Sequence, residues 1–151
     1  MKKGFTLIEL LVVIFIIGLL ASIVVVSVNT ARMKSRDARR IADMDSVRGA
    51  LEMYADANSS YPSTGNGWGA TSVANPSSWI PTTGFVPQFL SFLPRDPRNT
   101  GNYYYQYRSD GQNYKVMANT MEGSEGLARA NSDGGTRPGA YELFTPDAQS
   151  W

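Results

Sequence analysis

The sequence predicts an α+β protein: one long N-terminal helix, membrane-like in its first half and amphipathic in its second, packed on a small antiparallel β-sheet head. Three observations carry this expectation. The stretch Phe5–Val28 holds a single charge, Glu9. Apolar residues then recur at helical spacing as far as Tyr54. Two β-rich runs farther on are joined through Asp110-Gly111. The chain has 151 residues, 42% of them hydrophobic, which leaves room for one domain of about 100–150 residues plus an appendage. It contains no His and no Cys. That composition excludes disulfide frameworks, thiolate metal sites, histidine-ligated haem and hydrolytic triads built on His.

The apolar run comes first. Its 24 residues would span roughly 36 Å as a helix, against a bilayer core of about 30 Å. The flank before it, Met1-Lys2-Lys3-Gly4, is short and basic. A secretory signal peptide would have an apolar run of about 7–15 residues and a small-residue cleavage site. This run is longer, and Ala21-Ser22-Ile23 is a poor cleavage site. A plain signal anchor satisfies the hydropathy but leaves Glu9 unexplained, because a carboxylate near the centre of a spanning helix costs roughly 2.5–3.5 kcal/mol.

Lys2-Lys3-Gly4-Phe5-Thr6-Leu7-Ile8-Glu9-Leu10 resembles the N-terminal signal of type IV prepilins and type II secretion pseudopilins. The match is unbroken over Gly4–Leu11 and continues loosely through Gly18 and Ala21. The resemblance implies a leader of residues 1–4, cut between Gly4 and Phe5 by a prepilin peptidase on the cytoplasmic side, and N-methylation of the new Phe5 amine. It also implies an assembly role for Glu9, whose carboxylate would meet a neighbouring subunit's Phe5 amine. In a medium of low dielectric such a pair offsets much of the cost of burying either charge and sets the axial register. The alternative for Glu9 is a position near the interface with its carboxylate in water. Gly18 and Ser22 form a small-xxx-small pair suited to close helix approach in lipid. Gly18 matches a glycine of many pilin helices, whereas Val26 stands where many relatives carry a helix-interrupting Pro.

Charge divides as unevenly as hydrophobicity. Arg32, Lys34, Arg36, Arg39 and Arg40 surround a single Asp37, and from Ile41 onward seven Lys+Arg face eleven Asp+Glu. The positive-inside rule alone would hold the basic collar, and the head with it, in the cytoplasm; the resemblance implies the opposite. The collar reads as a lipid-headgroup contact first, then as a source of ion pairs with adjacent subunits or a solvated face. Nothing interleaves aromatics with these cations in the manner of a nucleic-acid site, so nucleic acid is disfavoured as a partner.

Ile41, Met44, Val47, Leu51 and Tyr54 continue the helix as an amphipathic half over 29–58, with a stop at Asn58-Ser59-Ser60-Tyr61-Pro62. Membrane and amphipathic halves together predict one rod of some 50 residues, about 75 Å if straight. The head, 59–151, opens on a loop rich in Gly, Pro, Ser, Thr and Asn. Within it Phe85, Phe89, Leu90, Phe92 and Leu93 predict a short helix with Pro87 in its first turn. Trp68 and Trp79 read as plugs at the edge of the core. A hairpin over 102–119 follows, turning at Ser109-Asp110-Gly111-Gln112, and Tyr141–Phe144 is a candidate third strand. The strand tyrosines read as core-facing rings before any sugar-binding row. Leu93-Pro94-Arg95-Asp96-Pro97 resembles the lead-in to the sheet of major pseudopilins. Between Glu122 and Gly139 lies a segment expected to be a solvated loop. Its Glu122, Glu125 and Asp133 are weak calcium candidates, because oxygen-only clusters suit that ion and major pseudopilins use a C-terminal calcium loop.

The chain has no P-loop, no G-x-S-x-G elbow and no dinucleotide fingerprint. The expectation is a structural, non-enzymatic subunit of a pilus-like filament or a secretion pseudopilus. It would stand as a single span in the cytoplasmic membrane with its head extracytoplasmic, then enter a cell-surface or periplasmic filament. Implied partners are copies of itself or related pilins, the prepilin peptidase, an assembly platform with its motor ATPase, and membrane lipid. The alternatives are a single-span anchor displaying a binding module and a membrane-tethered hydrolase working through carboxylates.

Overall fold

The computed structural model describes residues 4–81 and 83–151. Met1, Lys2 and Lys3, the basic part of the expected leader, lie outside the described residues, as does Thr82. The elements in order are helix α1 (Leu7–Asn58), strands β1 (Tyr105–Ser109) and β2 (Tyr114–Ala118), helix α2 (Ser124–Ala130), strand β3 (Tyr141–Phe144) and a single 3-10 turn at Pro146–Ala148. The α+β expectation holds. The chain forms two compact units, Met1–Met33 and Lys34–Trp151.

In the first unit α1 runs unbroken through Gly18 and Val26. Its apolar side chains are bare, with Phe15 69% and Val26 68% exposed. By length and composition this stretch can cross a membrane, and none of its apolar window is buried.

In the second unit the amphipathic half of α1 supplies Met44, Val47, Ala50 and Leu51 to the core, at the three- and four-residue steps that keep side chains on one helix face. The helix ends where Ser59 takes a left-handed φ of 58° and its amide returns to Ala55 O at 2.7 Å, a C-terminal cap ahead of Pro62. The sheet order is β1-β2-β3, antiparallel throughout. Tyr107 pairs with Val116 and Val116 with Leu143, so alternation brings Tyr105, Tyr107, Val116 and Ala118 to the face that meets α1. Asp110-Gly111 turns the hairpin, with Gly111 at φ 96°. Segment 64–72 lies along the outer edge of β1, its Gly69 and Ser72 amides reaching Tyr107 O and Tyr105 O at 2.8 and 2.9 Å, which blunts an edge open to strand addition. A Cβ on Gly69 would stand 2.9 Å from Trp79 O; that close approach is why glycine is there.

Two stretches depart from the sequence expectation. Residues 83–89 form consecutive turns rather than a helix. Gly84 takes φ 75° and Pro87 has no N–H to donate, so the helical ladder reduces to the Phe89 and Leu90 amides on Phe85 O at 3.0 and 3.4 Å. Phe85 still fills the core and Phe89 and Leu90 pack against it, while Phe92 points to solvent. Conversely, the stretch expected as a solvated loop contains α2, because Ala130 joins the core and gives a short helix something to bury.

Candidate functional site

The first functional element is the start of α1. Thr6 precedes the helix and Glu9 stands three residues later, and the two close a reciprocal pair. The Thr6 amide and hydroxyl donate to Glu9 Oε2 at 2.9 and 2.6 Å, while the Glu9 amide donates to Thr6 Oγ1 at 3.3 Å. This is a capping box: it satisfies amides that the first helical turn leaves without partners, and it places a carboxylate at the positive end of the helix dipole. The sequence reading gave Glu9 an intermolecular role and overlooked this local one, although T-x-x-E ahead of an apolar run is its signature. Gly4, Phe5 and Glu9 are all exposed, so the residues on both sides of the expected cleavage are open to another protein. Gly18 also faces outward, with nothing within 4 Å of the position a Cβ would take. A neighbouring helix can approach closely there.

The second element organises the head. Arg40, fully buried, is held by three carboxylates. Its Nε and Nη2 grip Asp96 at 2.6 and 3.0 Å, Nη1 reaches Asp37 at 2.7 Å and Nη2 reaches Glu122 at 2.8 Å. Arg36 doubles the hold on Glu122, with Nε at 2.8 Å, and Arg98 approaches it at 3.4 Å. Three acids thus meet three guanidinium groups, and the fork geometry of arginine suits the bidentate contact to Asp96. The Arg36 hydrogen bond outweighs burial, and with help from Arg40 it holds the Glu122 carboxyl down at about 2. Burial would lower the Arg40 pKa, yet the Asp96 hydrogen bond and charge raise it above its ordinary value.

Each acid also ties a different piece of chain to α1. Asp37 accepts the Glu122 and Gly123 amides, the latter at 2.7 Å. Gly126 follows from the same contact, since a Cβ on it would collide with the Asp37 carboxylate. Asp96 takes the Arg98 and Asn99 amides at 2.8 and 3.2 Å, closing the turn after Pro94, whose carbonyl accepts Trp79 Nε1 at 3.1 Å. The Leu93–Pro97 motif therefore works as a clasp: Leu93 and Trp79 are buried, and Asp96 locks them to the helix.

These contacts place the basic collar and the three weak calcium candidates. Of the collar, read first as a lipid-headgroup contact and then as a source of ion pairs or a solvated face, Arg36 and Arg40 turn into the head, whereas Lys34, 2.6 Å from Glu125, and Arg39, 3.8 Å from Asp43, remain exposed. The three weak calcium candidates, Glu122, Glu125 and Asp133, have separate partners. Glu122 belongs to the arginines and Glu125 to Lys34, while Asp133 accepts the Gly135 and Glu142 amides at 2.7 Å each. Among the described residues no group of three or more acidic side chains is arranged to hold a metal ion.

Comparison with known proteins finds two family matches along the chain. Residues 1–25 match the family described as "Prokaryotic N-terminal methylation motif", and residues 27–136 match "Type II secretion system (T2SS), protein G". Among curated proteins, the type II secretion system core protein G of Klebsiella pneumoniae is 36% identical over 134 residues, covering 87% of this chain and 91% of that protein. Its counterpart from Vibrio cholerae is 36% identical over 130 residues, covering 83% and 86%. That from Pectobacterium carotovorum is 34% identical over 137 residues, covering 87% and 82%. No solved structure matches the chain.

Proposed function

Since the chain belongs to the type II secretion system protein G family of pseudopilins, we propose the route by which it enters a pseudopilus. The leader is removed between Gly4 and Phe5 on the cytoplasmic side and the Phe5 amine is methylated. The mature chain waits as a single span with its head outside the cytoplasm. An assembly platform and motor ATPase supplied by other chains then draw it from lipid into a periplasmic filament of like subunits.

The observation that carries this reading is the bare apolar surface of Phe5–Val28. So much exposed apolar area requires a cover, and lipid before assembly and neighbouring helices after it both supply one. Head-to-tail packing, in which one face of the stripe meets a different face on the next copy, generates an open helical array when the rotation does not close. In the monomer the Glu9 carboxylate is held by Thr6. Assembly exchanges or extends that contact toward the cationic Phe5 amine of the next subunit, at the stagger where the carboxylate is satisfied. The head is the structural part of the subunit, clasped to α1 through Arg40, and no catalytic role is assigned to it.

Mass spectrometry of the chain recovered from membranes of cells that carry the peptidase tests the route. The expected mature form starts at methylated Phe5. A chain that keeps Met1 there overturns the reading.

A further inference from the structure

The sheet face turned away from α1 should be solvated, yet all five residues of β2 are buried. Lys115 is the unexpected one: it lies mid-strand on that outer face and is 0% exposed. Its ammonium donates to Glu142 Oε2 at 3.0 Å and to the main-chain oxygens of Gln149 and Trp151 at 2.9 Å each, and lies 3.5 Å from Thr136 Oγ1. The Phe144 ring closes the remaining side, 5.2 Å from Nζ. We propose that the Lys115 ammonium is the resident cation of this oxygen cage, so that the C-terminal part of the head closes on a lysine instead of the calcium ion that its family resemblance implies.

Three features support the assignment. The first is the donor set of one carboxylate, two main-chain oxygens and a hydroxyl, which is of the all-oxygen kind that hard cations take. Its oxygens stand at hydrogen-bond distance from the central atom, whereas calcium draws its ligands in to about 2.3–2.6 Å. An ammonium has three protons to donate, and the three shorter contacts use them.

The second feature is the build of the surrounding chain. Glu142 Oε2 also accepts the Thr136 amide at 2.9 Å, and a Cβ on Gly135 would collide with the Glu142 carboxylate. Asp133 is taken up by the Gly135 and Glu142 amides and makes no hydrogen bond to Lys115. The loop that follows α2 is thereby shaped around Glu142 and through it around Lys115.

The third feature is compensation. Glu142 is 1% exposed, and its second oxygen, Oε1, is buried without a hydrogen-bond partner among the described residues. Lys115 is the cation beside it. The lysine reaches Gln149 and Trp151 from the central strand, so it pins the last residues of the chain across the sheet while neutralising the carboxylate.

The test uses the full chain in detergent micelles and does not depend on filament assembly, so its failure would leave the pseudopilin reading intact. Thermal unfolding and amide exchange over residues 145–151 are measured in a chelator and in millimolar calcium, together with the calcium content of the purified chain. The expected result is one melting temperature, one protection pattern and no stoichiometric calcium. A calcium-dependent rise in either readout, or one retained calcium per chain, would overturn the proposal. Lys115→Met should lower the melting temperature by more than about 10 °C and release residues 145–151 to exchange; unchanged protection there would also overturn it. If that variant does not fold, the wild-type comparison decides alone.

Discussion

Replacing Arg40 with methionine removes the cation that bridges Asp37, Asp96 and Glu122. Breaking a buried ion pair on one side costs about 3–5 kcal/mol, because the partner stays buried without compensation. Here each acid keeps something. Asp96 retains two amides, Asp37 retains the Glu122 and Gly123 amides, and Glu122 retains Arg36. The cost therefore falls at the lower end, about 3 kcal/mol. For a cooperative unit the size of Lys34–Trp151, with roughly 4 °C of melting temperature per kcal/mol, the loss is about 12 °C. The assay is thermal unfolding of the full chain in detergent micelles, followed by the near-ultraviolet circular dichroism of buried Trp79. Arg40→Lys should fall between the two, because an ammonium cannot grip both Asp96 oxygens and still reach the other acids. An Arg40→Met chain that melts within about 3 °C of the parent would refute the clasp.

Further outcomes follow from the same contacts. Glu122 is held at about 2, below its ordinary 4.5, so it contributes stability above the higher value and loses it as pH falls toward the lower. Arg36→Met removes the largest cause of that depression, and acid titration of the melting temperature should become shallower between those two values. Gly126→Ala should destabilise by about 1–3 kcal/mol through overpacking against Asp37. Gly49→Ala, at an exposed helix position with open space around it, should stabilise by about 0.5–1 kcal/mol, and urea unfolding reads both. Glu9→Gln should keep the Thr6 capping box and Glu9→Ala should lose it, as amide exchange at the start of α1 would report; both should fail to enter filaments, since neither can meet a cationic amine with a charge.

The long helix, the hairpin and β3 were legible because each is written locally, in apolar runs, three- and four-residue spacing or an Asp-Gly turn. What escaped depends on contacts far apart in sequence. Arg36 and Arg40 look like any solvated basic helix face, since burial becomes affordable only when Asp96 and Glu122 arrive from other parts of the chain. Lys115 sits where strand alternation turns it outward, and only residues 136–151 folding back over the sheet make that face interior. Pro87 and Gly84 overrode an aromatic spacing that pointed to a helix, because backbone chemistry decides where side-chain pattern is ambiguous. The Thr6–Glu9 box is also written locally, as T-x-x-E ahead of the apolar run, and it stands beside the intermolecular role that the resemblance implies for Glu9.

The central claim is that the bare stripe of α1 builds the filament. A cryo-electron microscopy reconstruction of filaments formed by the processed chain tests it most directly. The account predicts Phe5–Val28 in the filament core, with each Glu9 carboxylate beside the Phe5 amine of a neighbouring subunit. A filament that carries this stripe on its outer surface, or holds Glu9 away from every neighbouring amine, would contradict it.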